Sequence, residues 1–388
     1  MADVKCKATL INAVTRRQRP YRNNHPLAIP RTALAIDLIR AYDAVTEGEM
    51  LAGRVAEVDE LAWFHNEDYI AAMRAAEANG RLQDEDRARY QLGTVENPYF
   101  DNLFTIPARA TGASIQAAEE VIAGRIAFNP AGGMHHARAG AARGFCYFND
   151  PALAILRLKR TGWRVLYVDI DAHHGDGVDE AFADDPDVFT LSLHMNTAYA
   201  YPFRGGALAN HGTEKGGFTT LNIPLPQGTH DAEYRLLFDR VWETALAKFA
   251  PEAVVLQAGA DLLAHDPLGK LAISTECFLG IARTVLDTAP RHANGAPRLL
   301  VTGGGGYHPL LIARAWTGLW ALLSGRELPP VIPPAGAEAL RGANWHLDED
   351  EPYFKRLFLT RLDQPQPLAV RPQIRELAAA VARHPFVQ

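Results

Sequence analysis

The stretch VLYVDIDAHHGDGV, residues 165–178, passes from a short apolar run directly into a dense cluster of aspartates and histidines. An apolar run without polar alternation is typical of a strand that is covered on both faces, as in a parallel sheet. Ionisable groups at its end would each cost on the order of several kcal/mol if they were buried without a partner. The stretch therefore predicts a buried parallel strand whose end either faces water or binds a cation.

Helical and strand patterns alternate through most of the chain. Helices are predicted over 107–124, 151–162, 231–249, 275–289 and 310–325. Asp231 is the expected cap of the third helix, and Pro151 the first helical residue of the second. The apolar runs between and before them are RIAFN, WRVLYV, VFTLSL, FTTLNIPL, EAVVLQ and PRLLVT. This alternation predicts an α/β fold with a predominantly parallel β-sheet flanked by helices on both faces.

The composition is that of an ordinary globular protein, with 388 residues of which 48% are hydrophobic and 22% charged. One domain over residues 1–388 is the better interpretation of this length and pattern. The Pro-rich segment RELPPVIPPAG, residues 326–336, marks the start of a peripheral C-terminal extension, 326–388, that ends in a helix.

Several classes of partner are disfavoured by composition. The net charge of −6 comes without a basic patch, which argues against nucleic acid. No window approaches the ~20 apolar residues that a membrane span needs, and no signal peptide is apparent. Cys6, Cys146 and Cys277 are too few and too scattered for a disulfide framework or a thiolate metal site. We therefore expect a cytoplasmic protein that binds neither membrane nor nucleic acid.

Chemistry-bearing residues gather after four of the predicted strands. The segments that follow these strands are PAGGMHHA, DIDAHHGDG, AGADLLAHDP and GGGGYHP. Ligands of an open parallel sheet bind beyond the carboxyl ends of its strands. The four segments are therefore expected to build one site.

A metal site is the first interpretation of this cluster. Side chains alternate faces along an extended segment, so Asp169, Asp171 and His173 should point the same way. Asp171 and His173 can bind one ion, with Asp261 as the obvious third ligand. Two carboxylates and one imidazole with an open position suit catalytic Zn²⁺, and also Fe²⁺, Co²⁺ or Mn²⁺. The alternative is a polar surface turn.

A pair of Asp–His contacts is the second interpretation. His135 and His136 are adjacent and follow two glycines, while Asp169 and Asp176 are spare carboxylates in the cluster. An Asp that accepts from one ring nitrogen raises the basicity of the other nitrogen. Two such pairs could supply a proton acceptor and donor. Polar loop histidines are the alternative.

Aromatic residues complete the candidate site. GGGGYH, residues 303–308, lacks the Lys-Ser/Thr of a phosphate loop, but Tyr307 can aim its hydroxyl at a developing oxyanion. Phe145 and Tyr201 could wall a narrow channel that leads to the metal. The alternatives are a flexible turn and two core aromatics.

The motifs GGMHHA, GFCYFND, DIDAHHGDGV, GADLLAHDP and GGGGYHP, in this order, resemble the histone deacetylase family. The likeness is to class I and to bacterial acetoin-utilisation-type members, and it covers a core of roughly residues 20–325. It implies the arginase–deacetylase fold and hydrolysis of an N-acyl amide. The implied substrate is acetylated lysine in a protein or peptide, or alternatively an acetylated polyamine or a longer acyl chain.

The resemblance also implies roles for individual residues. Zn²⁺, or alternatively Fe²⁺, would bind Asp171, His173 and Asp261. His136 with Asp176 would be general base and then acid, His135 with Asp169 would give electrostatic support, and Tyr307 would donate to the oxyanion. K⁺ would be held by Asp169, Asp171 and His173 together with Ser192 and Leu193. The implied substrate-binding residues are Glu96, Gly144, Phe145, Tyr201 and Gly305.

The chain departs from the family pattern most clearly in HMNTAYAYPFRGGALANHG, residues 194–212, which lacks the FPGTG-like loop that shapes the rim. Substrate preference is therefore expected to differ from that of histone-directed relatives. A binuclear manganese ureohydrolase and a non-catalytic acyl-lysine binder are the rival functions, and a homo-oligomer is possible.

Overall fold

The computed structural model describes residues 8–14, 25–343, 359–360 and 366–388. Its strands are β1 (Ala8–Asn12), β2 (Met50–Ala52), β3 (Ile126–Asn129), β4 (Val165–Asp169), β5 (Val188–Met195), β6 (Thr220–Leu225), β7 (Ala253–Gln257) and β8 (Leu299–Thr302). Its helices are α1 (Arg31–Ala41), α2 (Val58–Leu61), α3 (Glu67–Asn79), α4 (Asp84–Tyr90), α5 (Thr105–Ile122), α6 (Asp150–Lys159), α7 (Asp176–Phe182), α8 (Asp231–Phe249), α9 (Thr275–Thr288), α10 (Pro309–Leu323), α11 (Pro334–Arg341) and α12 (Pro372–Val381).

The eight strands form one sheet in the order β2-β1-β3-β8-β7-β4-β5-β6, and every neighbouring pair is parallel. The predicted α/β class and the six predicted strands are confirmed. Two strands, β1 and β2, were not predicted. β2 has only three residues, Met50–Ala52, none of them buried, so it is too short to give a strand pattern in the sequence.

Alternate residues of the central strands β3, β8, β7 and β4 enter two separate apolar clusters. In β4, Leu166 and Val168 pack in the cluster with α1, α8, α9 and α10, whereas Val165 and Tyr167 pack with α5 and α6. This alternation follows from the two-residue period of an extended chain. Because both faces are covered, the strands read as continuous apolar runs in the sequence.

Two predicted helix starts are wrong by one position. His230, not Asp231, precedes the first residue of α8, and the Asp231 carboxylate instead accepts the backbone N–H of Ser274 at 2.7 Å. Asn149 caps α6, so Pro151 is its second helical residue rather than its first. In both cases an aspartate beside the helix start is recruited by a neighbouring loop, a long-range contact that local patterns do not show.

The C-terminal segment packs on the same core as the helices around the sheet. Ile374 and Val381 of α12 are fully buried, and the Phe386 ring centroid lies 4.2 Å from that of Phe189 in β5. Before α12, the Arg371 guanidinium donates to both carboxylate oxygens of the buried Glu233, at 2.8 and 2.6 Å. This ion pair ties the segment to α8.

We predict that Arg371→Ala lowers the free energy of unfolding by about 1–3 kcal/mol, because it leaves a buried carboxylate without its charged donor. Burial alone would raise the pKa of Glu233, but the hydrogen bonds from Arg371 lower it. The pair's stabilisation is therefore present above the ordinary carboxyl pKa and is lost as the pH falls through the lowered one. Thermal unfolding between pH 3 and pH 7 measures this loss. Arg375→Ala, on the exposed face of α12, is the matched control; an equal effect of both variants would contradict the prediction.

Candidate active site

The four loops that carry the predicted chemistry follow β3, β8, β7 and β4, which are consecutive neighbours in the sheet. Because all neighbours are parallel, the carboxyl ends of these strands meet at one edge. The predicted convergence of the four segments is therefore present, and it lies at the middle of the sheet.

The three predicted metal ligands form a buried cluster. One candidate ligand atom from each of Asp171, His173 and Asp261 lies within 4.8 Å of the others, and no other such group occurs among the described residues. His173 Nδ1 is 2.8 Å from Asp261 Oδ2 and 3.3 Å from Asp171 Oδ1. The side chains thus point at a common centre.

Backbone N–H groups fix both carboxylates of this cluster. Gly305 donates to Asp171 Oδ2 at 2.6 Å, and Ala172 donates to Asp261 Oδ1 at 2.8 Å. A Cβ at Gly305 would lie 2.0 Å from Asp261 Oδ2, and one at Gly259 would lie 2.1 Å from Asp171 Oδ2. These glycines are therefore required because the backbone approaches the carboxylates too closely for a side chain.

The cluster fits a divalent metal ion. Two carboxylates and an imidazole nitrogen are a donor set used by zinc and by other first-row ions. Burial alone would lower the pKa of His173, but the Asp261 and Asp171 carboxylates raise it to about 10. The electrostatics of the cluster thus favour positive charge at its centre.

Both predicted Asp–His pairs are present. His135 Nδ1 lies 2.8 Å from Asp169 Oδ2, and His136 Nδ1 lies 2.8 Å from Asp176 Oδ1. Tyr167 donates its hydroxyl to Asp169 Oδ2 at 2.7 Å. The two histidine Nε2 atoms are 3.1 Å apart, so a proton on one can be shared with the other.

The two imidazoles differ in charge. Burial alone would lower the pKa of His135, but the Asp169 and Asp171 carboxylates raise it to about 9. Burial and the neighbouring charge of His135 lower the pKa of His136 to about 3. The positive charge of the pair therefore lies on His135 rather than on His136.

Tyr307 lies close to the metal cluster and to Phe145. Its ring centroid is 6.5 Å from that of His173 and 6.2 Å from that of Phe145. Burial and the Asp261 carboxylate raise the pKa of Tyr307, so its hydroxyl keeps its proton and remains a donor. Its backbone N–H donates to Asp266 at 2.7 Å.

Residues that the sequence did not single out hold the site together. Arg31 Nη1 donates to the carbonyls of Gly304 and Gly306, at 2.9 and 3.0 Å, and fixes the turn before Tyr307. Asp150 accepts the N–H groups of Gly133 and Met134 and so fixes the turn before the two histidines. Asp150 belongs to the quoted GFCYFND motif and Asp266 to the AHDP part of GADLLAHDP, so these motifs could have identified both residues as parts of the site. Arg31 is the first residue of α1, and no local pattern predicts its contact with Gly304 and Gly306.

An outer cavity of about 340 Å³ leads to the cluster from the surface. The predicted residues Glu96, Gly144, Phe145, Tyr201 and Tyr307 all line it. Tyr199, Phe203, Leu268 and Lys270 also line it and were not predicted. A small inner cavity, lined by Gly305, Met134 and Arg31 among others, adjoins the cluster and shares His136, His173 and Tyr307 with the outer cavity.

A family model described as "Histone deacetylase domain" matches residues 25–323 of the chain. The chain belongs to the histone deacetylase family. It is 38% identical over 312 residues to histone deacetylase 8 of Xenopus tropicalis, covering 79% of this chain and 81% of that protein. It is 35% identical over 318 residues to the acetoin utilization protein AcuC of Bacillus subtilis, covering 81% of each.

Solved structures of histone deacetylase (HDAC) homologues share the fold. The crystal structure of an HDAC homologue from Aquifex aeolicus superimposes with a TM-score of 0.89 at 39% identity, covering 97% of this chain and 99% of that one. An HDAC homologue complexed with SAHA gives a TM-score of 0.90 at 40% identity, with the same coverage. The arginase–deacetylase fold is thereby confirmed.

Family membership decides between the rival enzyme classes. The histone deacetylase chain is a hydrolytic deacetylase, not a ureohydrolase or a non-catalytic binder. The family is metal-dependent, and the buried triad supplies a possible metal site. No helix in the described part of the chain has the length and apolar character needed to cross a bilayer.

Three of the residues predicted for potassium, Asp169, Ser192 and Leu193, lie in the neighbouring strands β4 and β5. Asp169 in β4 is paired in register with Ser192 in β5. Ser192 Oγ lies 2.7 Å from His194 Nδ1, and the Leu193 carbonyl accepts the Tyr234 hydroxyl at 3.5 Å. A potassium site at these residues stays a prediction.

We predict that Gly305→Ala weakens the binding of a divalent metal ion at the triad by at least about tenfold, because the new Cβ displaces the Asp261 carboxylate from its position. Equilibrium dialysis against zinc, with the bound metal measured by mass spectrometry, tests this. Gly280→Ala is the control, since a Cβ there meets nothing within 4 Å. Wild-type zinc affinity in Gly305→Ala would show that the close approach at this turn is not required.

Proposed function

We propose that this deacetylase removes acetyl groups from the ε-amine of lysine in proteins or peptides, with one zinc ion bound by Asp171, His173 and Asp261. The observation that carries the proposal is the meeting of this triad with two Asp–His pairs and the Tyr307 hydroxyl at the end of one cavity. Each group has the chemistry that amide hydrolysis needs.

A divalent ion at the triad would polarise the acyl carbonyl and acidify a water molecule. His136 holds its Nδ1 proton against Asp176, so its Nε2 accepts the proton of the attacking water and later donates a proton to the departing amine. His135, charged against Asp169, stabilises the negative charge that develops nearby. Tyr307 donates its hydroxyl to the acyl oxygen as that oxygen becomes negative. The products are acetate and a free amine.

The outer cavity supports lysine as the amine rather than a polyamine. Phe145 and Tyr201 line the cavity, as expected for a channel that takes an apolar alkyl stem. Lys270 lines the same cavity and places a positive charge where a polyamine would bring several more. Glu96, half-buried at this cavity, is proposed to hold the substrate backbone.

The same proposal includes the finer assignments that the resemblance implies. Fe²⁺ is the alternative ion at the triad, since its ligand preferences overlap those of Zn²⁺ here. K⁺ is assigned to Asp169, Ser192 and Leu193. Gly144 and Gly305 are assigned to the substrate path, and the protein is placed in the cytoplasm, with a homo-oligomer possible.

We predict that the zinc-loaded protein releases acetate faster from an acetyl-lysine peptide than from an acetylated polyamine, because Lys270 repels the polycation. Acetate release at matched substrate concentrations measures the preference, with the chelated protein as the blank. A preference for the polyamine would contradict the lysine assignment and support an acetylpolyamine amidohydrolase. Background rates on both substrates would contradict the proposal and direct attention to longer acyl groups.

Tyr307→Phe is predicted to lower kcat by about 10²–10³-fold, since the loss of one oxyanion donor has an effect of this size. KM should change much less, because the hydroxyl acts mainly when the acyl oxygen becomes negative. Steady-state kinetics on the acetyl-lysine peptide test this, with Tyr99→Phe, a residue outside the site, as the control. Turnover of Tyr307→Phe close to wild type would remove Tyr307 from the mechanism.

A further inference from the structure

The hydroxyl of Tyr201 joins two charged side chains at the wall of the outer cavity. It donates to Glu96 Oε1 at 2.6 Å and accepts from Arg143 Nε at 3.1 Å. Burial and the Glu96 carboxylate raise the pKa of Tyr201, so the hydroxyl keeps the proton that it donates. A phenylalanine at this position could not make either contact.

Glu96 carries the connection to the opposite wall. The same oxygen, Glu96 Oε1, also accepts the backbone N–H of Gly144. The next residue, Phe145, has a left-handed backbone with φ of 68°, and its N–H donates to Asn97 Oδ1 at 3.0 Å. One carboxylate thus ties the segment that presents Phe145 to the segment that presents Tyr201.

Arg143 carries the connection inward to the general base. Its Nε lies 3.3 Å from Asp176 Oδ2, and its guanidinium lies 5.7 Å from the centroid of the Tyr201 ring. The Tyr201 ring in turn meets the His136 ring edge-on, with the centroids 4.8 Å apart. The chain Glu96–Tyr201–Arg143–Asp176 therefore runs from the cavity mouth to the partner of His136.

We propose that this chain is a brace that fixes the bore of the substrate channel, with the Tyr201 hydroxyl as a specificity determinant and Arg143 as a positioning residue. The inference rests on the proposed function, because the channel is taken to hold the alkyl stem of the acylated amine. With the brace intact, the walls admit a straight stem and exclude a branched one. Without it, the Tyr201 ring is held by packing alone and the channel widens.

A second arginine, Arg138, makes it possible to distinguish the positioning of Tyr201 from simple support of the Asp176 carboxylate. Arg138 Nη2 lies 2.8 Å from the same oxygen, Asp176 Oδ2, and Arg138 also pairs with Glu180 on the helix α7. Arg138 and Arg143 therefore both support the dyad carboxylate, but it is Arg143 that also binds the Tyr201 hydroxyl. Substituting each arginine in turn distinguishes the two effects.

The experiment compares a peptide with straight acetyl-lysine and the same peptide with a γ-methyl branch in the lysine stem. We expect Tyr201→Phe to reduce the preference for the straight stem about tenfold, since one methyl group in a fitted pocket is discriminated about 10–200-fold. The ratio of the KM values for the two peptides should change more than the ratio of their kcat values. Arg143→Gln should reduce the preference equally, Arg143→Lys should restore part of it, and Tyr201→Phe combined with Arg143→Gln should lose no more than either alone.

Arg138→Gln is the matched control and should lower kcat while leaving the stem preference unchanged. The brace is refuted if Tyr201→Phe retains the wild-type preference, or if Arg138→Gln loses as much preference as Arg143→Gln. Thermal midpoints establish that each variant is folded. Dissociation constants of both peptides, measured by calorimetry on the same variants, test the width of the channel without requiring turnover. Absence of acetate release by the wild type would therefore count against the proposed function alone, and the ratio of dissociation constants would still decide for or against the brace.

Discussion

Two buried carboxylates, Asp171 and Asp261, lie just beyond the carboxyl ends of the neighbouring strands β4 and β7. The surrounding structure holds them there. Leaving such groups dry and unpaired would cost on the order of several kcal/mol each. The chain meets this cost with backbone N–H donors from Ala172 and Gly305, and with an imidazole aimed at both carboxylates. An apolar sheet covered on both faces supplies the rigid base, and the ion that the cluster favours would complete the compensation.

The same requirement explains motifs that contact no substrate. Asp150, itself buried, accepts two backbone N–H groups from the turn before His135 and His136, and Ser114 donates to it at 2.5 Å. Asn149 donates to the Ala137 carbonyl at 2.9 Å on the other side of the histidines. The ND at the end of GFCYFND therefore positions the histidine loop, which allows each imidazole to keep its carboxylate partner at hydrogen-bonding distance.

The parts of this molecule that could be predicted from sequence are those encoded by local patterns. The central strands are continuous apolar runs, and Asp171, His173 and the two Asp–His pairs sit at fixed offsets after them, so fold class and catalytic cluster were both accessible. Arg31 was not, because it reaches Gly304 across 273 positions of the chain. The strand β2 and the cap of α8 were missed because a three-residue, partly exposed strand and a displaced aspartate leave no periodic signal. The strand β1 was also missed, although four of its five residues are buried.

The entrance is built differently from the catalytic cluster. The cluster is fixed by main-chain donors and by glycines that tolerate no Cβ, so almost any substitution there disturbs the ligands themselves. The entrance is fixed by side chains, among them Glu96, Tyr201 and Arg143, in loops that follow or flank the core strands. A change of one hydroxyl, that of Tyr201, alters the channel without touching the triad. The fold can therefore keep its hydrolytic chemistry constant while the amine that it accepts changes.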